Sequence, residues 1–241
     1  ATYYRYFLNE FLPIELTEIM YIDADIVCMN NISNLYFQEI NNLKESEFVI
    51  SAKTEFTSNE EKYGYHDEFS RLELEGEKYF NAGVMFIDLE KWRKLNIQEK
   101  LLDKQNKIKN KINLWDQDVL NSFFDSNFLE LDKKFNYKIN DFNNVETNSL
   151  QNILEIKKDI IFAHYSGKFK PWTVRGTFHP SSRFYQNVYA ALSKRHYHIE
   201  NNWKGQAFKD LTKSIFNMEI LKLEKPLGFL NSVINYLFKF K

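Results

Sequence analysis

The sequence predicts an α/β fold in which helices cover a mainly parallel sheet. Short runs of consecutive apolar residues alternate along the chain with segments of helical periodicity. The apolar runs are continuous rather than alternating, which is typical of strands that are covered on both faces. The chain has 241 residues, 44% of them hydrophobic, so it is long enough to bury a large core.

Each predicted element follows from one of these runs, taken in chain order. Residues 6–18 are partly helical, and residues 19–22 form a first buried strand that stops at Asp23. The polar residues 56–77 indicate a surface loop with some helix. The other predicted strands are 48–52, 83–87, 128–131 and 160–163, and the predicted helices are a capped start at 88–92, then 95–108, 116–124 and most of 181–241. We therefore expect an α/β domain over residues 1–180 and a helical extension over residues 181–241.

Composition excludes several classes of protein. Lys and Arg number 32 against 33 Asp and Glu, and this balance gives no support for a nucleic-acid-binding protein. A single cysteine, Cys28, excludes an internal disulfide framework and a cysteine-rich zinc site. No apolar run approaches the roughly 20 residues of a membrane span, and the first residues do not resemble a signal peptide. We therefore expect a cytoplasmic protein.

Residues 222–241 form an aromatic and basic tail. Such a tail can lie on an anionic membrane surface, which would place the protein at the inner face of the membrane. A terminal helix docked on the core explains the same pattern. The sequence leaves both interpretations open.

Candidate ligand-binding residues follow two predicted strands, at the ends where ligands bind in sheets of this kind. Asp23 and Asp25 follow the strand at 19–22, and His164 follows the strand at 160–163. Two carboxylates in one turn suit Mg²⁺ or Mn²⁺, and a histidine can complete such a site. Polar turn residues and a structural histidine are the alternative. The remaining histidines are expected to be solvent-exposed: His66, His179, His196 and His198.

Three further segments carry polar groups that could contact a ligand. Asn81, Ala82 and Gly83 enter a buried strand, where small residues allow a ligand to approach the backbone. Residues 116–118 place acidic groups at a helix start, which is also a common capping pattern. Residues 164–172 combine a histidine, a glycine turn and Lys170, whose ammonium group can hold a phosphate. Each segment alone also has a purely structural explanation.

Taken together and in this order, the four motifs resemble glycosyltransferase family 8 over about residues 1–185. The matching stretches are 21–27, 79–93, 116–121 and 164–172. Members of this family are retaining, metal-dependent sugar transferases with a Rossmann-like GT-A fold, and they include bacterial lipopolysaccharide galactosyl- and glucosyltransferases. The resemblance implies that residues 1–180 are a GT-A catalytic domain. It also implies a UDP-sugar donor, Mn²⁺ or, as a second choice, Mg²⁺, and a lipopolysaccharide or other surface-glycan acceptor.

The resemblance also implies roles for individual residues. The metal ligands would be Asp23, Asp25 and His164. The donor would be contacted by Arg5, Asn81, Ala82, Gly167 and Lys170. The pair facing the anomeric carbon would be Asp116 and Gln117. Because the neutral amide of Gln117 is a poor nucleophile, we favour attack by the acceptor hydroxyl from the same face as the leaving group, with retention.

The sequence departs from the family pattern at its start. In the family, a strand–helix–strand segment precedes the stretch that matches residues 2–5. This leaves three interpretations: the sequence is part of a longer protein, a partner completes the sheet, or the chain is a weakened fragment that binds a sugar or a partner without turnover. A phosphatase of the haloacid dehalogenase type is a less favoured alternative for the Asp-x-Asp motif.

Overall fold

A computed structural model describes residues 2–59, 66–193 and 196–238. The chain divides into two compact units. The first unit contains Ala1–Asp23 and Asn31–Asn136, and the second contains Ala24–Asn30 and Tyr137–Lys241. The chain therefore crosses between the units three times, once between Asp23 and Ala24.

The described residues form seven strands and eleven α-helices. The strands are β1 (Glu18–Ile22), β2 (Ile26–Cys28), β3 (Ile50–Thr57), β4 (Lys78–Asp88), β5 (Leu129–Glu130), β6 (Tyr137–Lys138) and β7 (Phe162–His164). The helices are α1 (Leu8–Phe11), α2 (Ser33–Glu45), α3 (His66–Leu72), α4 (Leu89–Lys94), α5 (Ile97–Ile108), α6 (Trp115–Phe124), α7 (Leu150–Asp159), α8 (Val174–Thr177), α9 (Ser182–Ser193), α10 (Lys204–Phe216) and α11 (Pro226–Leu237). Short 3₁₀ turns lie at Thr2–Phe7 and Glu219–Lys222, among others. None of the helices in the described ranges is long and apolar enough to cross a membrane.

The first unit is organised around strand β4, which is buried along its length after its first residue. The sheet order is β1-β4-β3-β5, with β4 antiparallel to both of its neighbours and β5 parallel to β3. Aromatic rings fill the core around it; for example, Phe56 stacks on Tyr79 with ring centroids 4.6 Å apart. The Asp88 side chain accepts a hydrogen bond from the Lys91 backbone N–H and caps α4, as predicted.

The second unit contains a smaller sheet in the order β2-β7-β6. Strand β7 is antiparallel to β2 and parallel to β6, and Ile26 is the residue opposite His164 in the first of these pairs. One apolar cluster surrounds Val27 and Tyr165, and another includes Val174, Leu211 and Phe229. The second cluster therefore packs the C-terminal helices α8, α10 and α11 together.

The α/β class and the helical C-terminal end agree with the prediction. The strand pairing is mixed: three of the five described pairings are antiparallel, where the sequence predicted a mainly parallel sheet. The reason is that a continuous apolar run reports burial on both faces, and β4 is buried on both faces while running antiparallel to its neighbours.

Candidate functional site

In the second unit, Asp25 lies between a histidine and a lysine. The pairing of β2 with β7 sets this geometry, and Tyr165 N–H donates to the Asp25 backbone oxygen at 3.0 Å. The Asp25 Oδ1 atom is 3.3 Å from Nε2 of His164, which is buried. The Lys170 ammonium group forms an ion pair with the other carboxylate oxygen and donates to the Tyr165 carbonyl at 2.8 Å. The structure thus brings together three residues that the sequence had only placed at strand ends and in a loop.

These neighbours keep Asp25 ionised. Burial by itself acts to raise the pKa of Asp25. Hydrogen bonds and charge attraction from His164 and Lys170 outweigh that effect and lower the pKa to about 2. The carboxylate is therefore available as an anionic ligand throughout the physiological pH range.

Two glycines shape the segment that carries Lys170. Gly167 has a φ of +84°, in the left-handed region that glycine adopts readily, and a Cβ atom there would have no neighbour within 4 Å. At Gly176, by contrast, a Cβ atom would lie 2.0 Å from the Lys170 carbonyl oxygen. The Thr173 hydroxyl donates to that same oxygen at 2.8 Å. The end of this segment is therefore held directly against the start of α8.

In the first unit, Arg5 forms the centre of a buried polar group. Its guanidinium contacts Asp23 at 3.0 Å, Asp116 at 2.7 Å and the Ala82 carbonyl at 2.6 Å. The guanidinium also lies over the ring of Tyr21, 4.1 Å from the centroid. Such a planar fork with several fixed partners is a rigid arrangement. The structure therefore places Arg5 beside two of the predicted site carboxylates.

Residues from β4 and α6 extend this group. The Gln117 side-chain oxygen accepts from the Ala82 backbone N–H at 3.1 Å, so the amide has a fixed orientation. The Asn81 side-chain oxygen accepts from Gly83 N–H at 2.9 Å. Burial raises the pKa of Asp116, although the charge of Arg5 acts in the opposite direction. The first unit thus gathers Arg5, Asp23, Asn81, Ala82, Asp116 and Gln117.

The side chain of Asp118, the third residue of the 116–118 motif, is held by hydrogen bonds to other groups of the protein. Its side chain is fully buried and forms two hydrogen bonds with Arg71, at 2.9 and 3.2 Å. It also accepts from the Tyr79 hydroxyl at 2.7 Å and from the backbone N–H groups of Asn113 and Leu114. These bonds satisfy donors that precede helix α6. The sequence contained no signal for the partner Arg71, which lies 47 positions away.

The prediction that His179 is solvent-exposed is wrong. His179 is buried, and its Nδ1 atom lies 2.8 Å from the Ser181 hydroxyl and accepts from Ser181 N–H at 3.2 Å. Burial lowers the pKa of His179 to about 4, so the ring is neutral near pH 7. His196 is exposed and His198 is half-buried. The His66 side chain lies outside what the structure describes.

The chain itself links the two polar groups, because Asp23 ends one stretch of the first unit and Ala24 begins the second unit. Two residues of chain span at most about 7 Å, so the α-carbons of Asp23 and Asp25 are no farther apart than that. Within the second unit, the 3.3 Å separation between Asp25 Oδ1 and His164 Nε2 suits two ligands of one ion. Ligand atoms about 2.1 Å from an ion at a right angle lie roughly 3 Å apart. The donor set present therefore fits a divalent cation.

Comparison with protein families matches residues 1–175 to the model of glycosyl transferase family 8. The chain belongs to glycosyl transferase family 8. This membership decides against the phosphatase alternative. The match covers every residue of the two polar groups described above.

Several curated relatives of the chain are bacterial lipopolysaccharide glycosyltransferases. It is 30% identical over 224 residues to a lipopolysaccharide 1,2-glucosyltransferase of Escherichia coli K12, covering 91% of this chain and 60% of that protein. It is 28% identical over 223 residues to a lipopolysaccharide 1,3-galactosyltransferase of Salmonella typhimurium, covering 91% and 63%. The chain spans about half to three-fifths of the length of five curated relatives and less than two-fifths of three others.

Among solved structures, the chain resembles the galactosyltransferase LgtC in complex with donor and acceptor sugar analogues. The TM-score is 0.61 at 23% identity, covering 85% of this chain and 70% of that one. It also resembles glycosyltransferase GlyE of Streptococcus pneumoniae TIGR4, with a TM-score of 0.51 at 25% identity, covering 71% and 38%. These similarities support the GT-A fold of the family.

Proposed function

We propose that the chain carries the donor site of a Mn²⁺-dependent, retaining glycosyltransferase that moves galactose or glucose from a UDP-sugar to a lipopolysaccharide or another surface glycan. The observation that carries the proposal is the position of Asp25 between His164 and Lys170. A carboxylate, an imidazole and an ammonium group together offer ligands for a cation and a partner for a phosphate. A nucleoside diphosphate with its metal ion needs both.

The residues that would hold the ion are Asp23, Asp25 and His164. Oxygen and nitrogen ligands of this kind suit Mn²⁺, and Mg²⁺ is the second choice. When bound, the ion would act as a Lewis acid that stabilises the charge on the departing diphosphate. His164 must be neutral to bind a metal, and Asp25 is already ionised with its pKa near 2.

When the donor is bound, the Lys170 ammonium group would pair with the donor phosphates instead of with the Asp25 carboxylate. Its ammonium is a compact cation on a flexible side chain, and it is partly accessible in the structure, with 27% of the side chain exposed. An anionic diphosphate would compete with the Asp25 carboxylate for it. The turn at Gly167 would let backbone groups approach the same phosphates closely.

The first unit would bind the sugar. Asn81, Ala82 and Asp116 offer hydrogen-bonding groups to hydroxyls, and Arg5 holds Asp116 in place. The Gln117 oxygen is fixed by Ala82 N–H and would stabilise positive charge at the anomeric carbon. The acceptor hydroxyl would then attack from the side of the leaving group. A glycosyl adduct on Gln117 or on a neighbouring carboxylate, detected by mass spectrometry, would overturn this step.

Calorimetric titration of UDP with and without Mn²⁺ tests the proposal. Binding should require Mn²⁺ and should be lost in Asp23→Ala/Asp25→Ala. Lys170→Ala should weaken binding by about 10- to 100-fold, the range expected for a charge-assisted contact to phosphate. Lys168→Ala is the matched control, because Lys168 is exposed and lies in the same segment. No UDP binding by the folded chain would favour the alternative of a fragment that binds a sugar or a partner without turnover.

We also propose that residues 1–180 carry catalysis, and that residues 181–241 add a surface that contacts a membrane at its cytoplasmic face. Phe229 and Val233 of α11 are buried, so this helix is docked, but Leu227 and Phe238 are 81% and 64% exposed. Residues 239–241 of the predicted tail lie outside the described residues.

Sedimentation with phosphatidylglycerol vesicles should pull down the chain, and Leu227→Glu should weaken that association several-fold. Equal sedimentation with neutral vesicles would contradict the role of the basic residues.

A further inference from the structure

A second candidate binding site lies entirely within the second unit. A cavity of about 430 Å³ is bounded by helix α9, by residues 177–180 and by residues 219–225. Its volume is within the range of small-molecule sites in proteins. None of the residues of the proposed donor site lines it.

The cavity has unbalanced positive charge. Glu219 pairs with Arg175 at 3.3 Å, and Glu224 pairs with Arg183, so each lining glutamate already has its own arginine. Lys222 and Lys225 also line the cavity, and neither has a carboxylate within 4.0 Å among the residues that the structure covers. These two ammonium groups remain available for an anion.

Two helices begin at this cavity. Ser182 and Arg183 are the first residues of α9, and Lys225 directly precedes α11. Both helices have 12 residues and are therefore long enough for their aligned peptide dipoles to add up. The N–H groups at their N-terminal ends carry a partial positive charge. The field from the backbone therefore has the same sign as the field from the two lysines.

The remaining walls suit a sugar ring. Phe178 and Tyr197 are half-buried, and both pack edge-on against Phe229, at 5.2 and 5.7 Å. Aromatic side chains provide an apolar surface for the C–H face of a pyranose, and Asn187 on the exposed side of α9 offers hydrogen bonds to hydroxyl groups. Aromatic walls, an amide and free cations together describe a site for an anionic saccharide.

We propose that this cavity binds an anionic saccharide of the acceptor glycan, one that carries a phosphate or a carboxylate beside its hydroxyl groups. The assignment to the acceptor rests on the proposed transferase function, whereas the binding itself does not. The site would hold the acceptor through a part of the glycan that does not react.

Hydrogen bonds connect the cavity wall to the segment that carries Lys170. Gln186 lines the cavity and donates to the Pro171 carbonyl oxygen at 2.7 Å. The hydroxyl of Thr177, which also lines the cavity, lies 3.2 Å from the same oxygen and 2.9 Å from the Thr173 carbonyl oxygen. The Gln186 side chain also donates to the His198 carbonyl oxygen and accepts from the His198 backbone N–H. A ligand that orders this wall would therefore restrict the residue next to Lys170, so acceptor binding would support the donor site.

Calorimetry with glucose 6-phosphate, glucuronate and glucose tests the binding without any turnover. We expect the two anions to bind and neutral glucose to bind at least about tenfold more weakly. Lys222→Ala/Lys225→Ala should weaken the binding of glucose 6-phosphate by about tenfold. Ala190→Phe should block the cavity through the size of its side chain alone. Lys209→Ala/Lys213→Ala removes the same charge from exposed positions of α10 and should change nothing. Circular dichroism of each variant checks that it is folded.

UDP binding in Mn²⁺, measured on the same samples, separates the two proposals. UDP binding without glucose 6-phosphate or glucuronate binding would overturn the cavity site and leave the transferase proposal intact. The reverse result would retain the cavity site and remove its assignment to an acceptor. An equal loss of glucose 6-phosphate affinity in the two double-lysine variants would mean non-specific attraction and would also overturn the site. Binding of inorganic phosphate as tightly as glucose 6-phosphate would overturn it as well.

Discussion

The aspartates at and beside the candidate site have different cationic partners in the two units. In the first unit, Asp116 and Asp118 face arginines, Arg5 and Arg71. In the second unit, Asp25 faces His164 and Lys170. An arginine is permanently charged and binds through a planar fork, whereas a histidine can release its proton and a lysine can move to a new partner. The comparison indicates that the first unit holds a fixed frame and that the second holds groups that a ligand can engage.

Removing a carboxylate from the fixed frame should have the largest effect. Asp118→Ala would leave the Arg71 charge, the Tyr79 hydroxyl and two backbone N–H groups without their buried partner. We expect a loss of about 3–5 kcal/mol in the free energy of unfolding, measured by urea denaturation. Asp103→Ala, on the exposed face of α5, is the matched control and should change stability by less than about 0.5 kcal/mol. A similar loss in both variants would show that the bonds of Asp118 do not form a fixed frame.

Exchanging the cation types tests the comparison more finely. Arg5→Lys keeps the charge but cannot reach Asp23, Asp116 and the Ala82 carbonyl at once, so it should cost about 1–3 kcal/mol of unfolding free energy. Lys170→Arg should cost less than about 1 kcal/mol, because that side chain is partly exposed. Urea denaturation of both variants measures the difference. If Lys170→Arg is the more costly exchange, Lys170 belongs to a fixed frame as well.

The two carboxylates should titrate in opposite directions from the ordinary aspartate value. The pKa of Asp25 is lowered to about 2, so its contribution to folding, about 2 kcal/mol, is present above about pH 4 and is lost as the pH falls towards 2. The pKa of Asp116 is raised, so its contribution is present below the ordinary aspartate pKa and is lost as the pH rises through the folded value. Carboxyl ¹³C NMR of the metal-free chain measures both values, with Asp25→Asn and Asp116→Asn assigning the signals. Shifts of the same sign would contradict the contrast.

Long apolar runs made the first unit the easier one to predict. Residues 83–87 were recognised as a strand because the run is unbroken, and the structure extends it to Lys78–Asp88. The strands Ile26–Cys28 and Tyr137–Lys138 were missed, since two or three residues carry no periodicity. The burial pattern of a strand does not show whether it pairs in a parallel or an antiparallel direction with its neighbours.

The motifs located the candidate site residues, but not their partners. Asp25, His164 and Lys170 were each singled out in the sequence, yet the Lys170–Asp25 ion pair joins positions 145 residues apart. The role of Asp118 depends on Arg71, which no local pattern connects to it. Contacts of this kind depend on tertiary packing, which a single sequence does not reveal.

Gly167 and Gly176, the two glycines that shape the Lys170 segment, limit substitution for opposite reasons. At Gly176 the limit is size, because any Cβ atom would collide with the Lys170 carbonyl. At Gly167 the surroundings are open and the limit is handedness, because φ is +84°. A mirror-image residue adopts that angle without strain. A chain assembled by ligation with D-alanine at position 167 should keep the turn and gain up to about 1 kcal/mol through a less disordered unfolded state, whereas L-alanine should lose stability there.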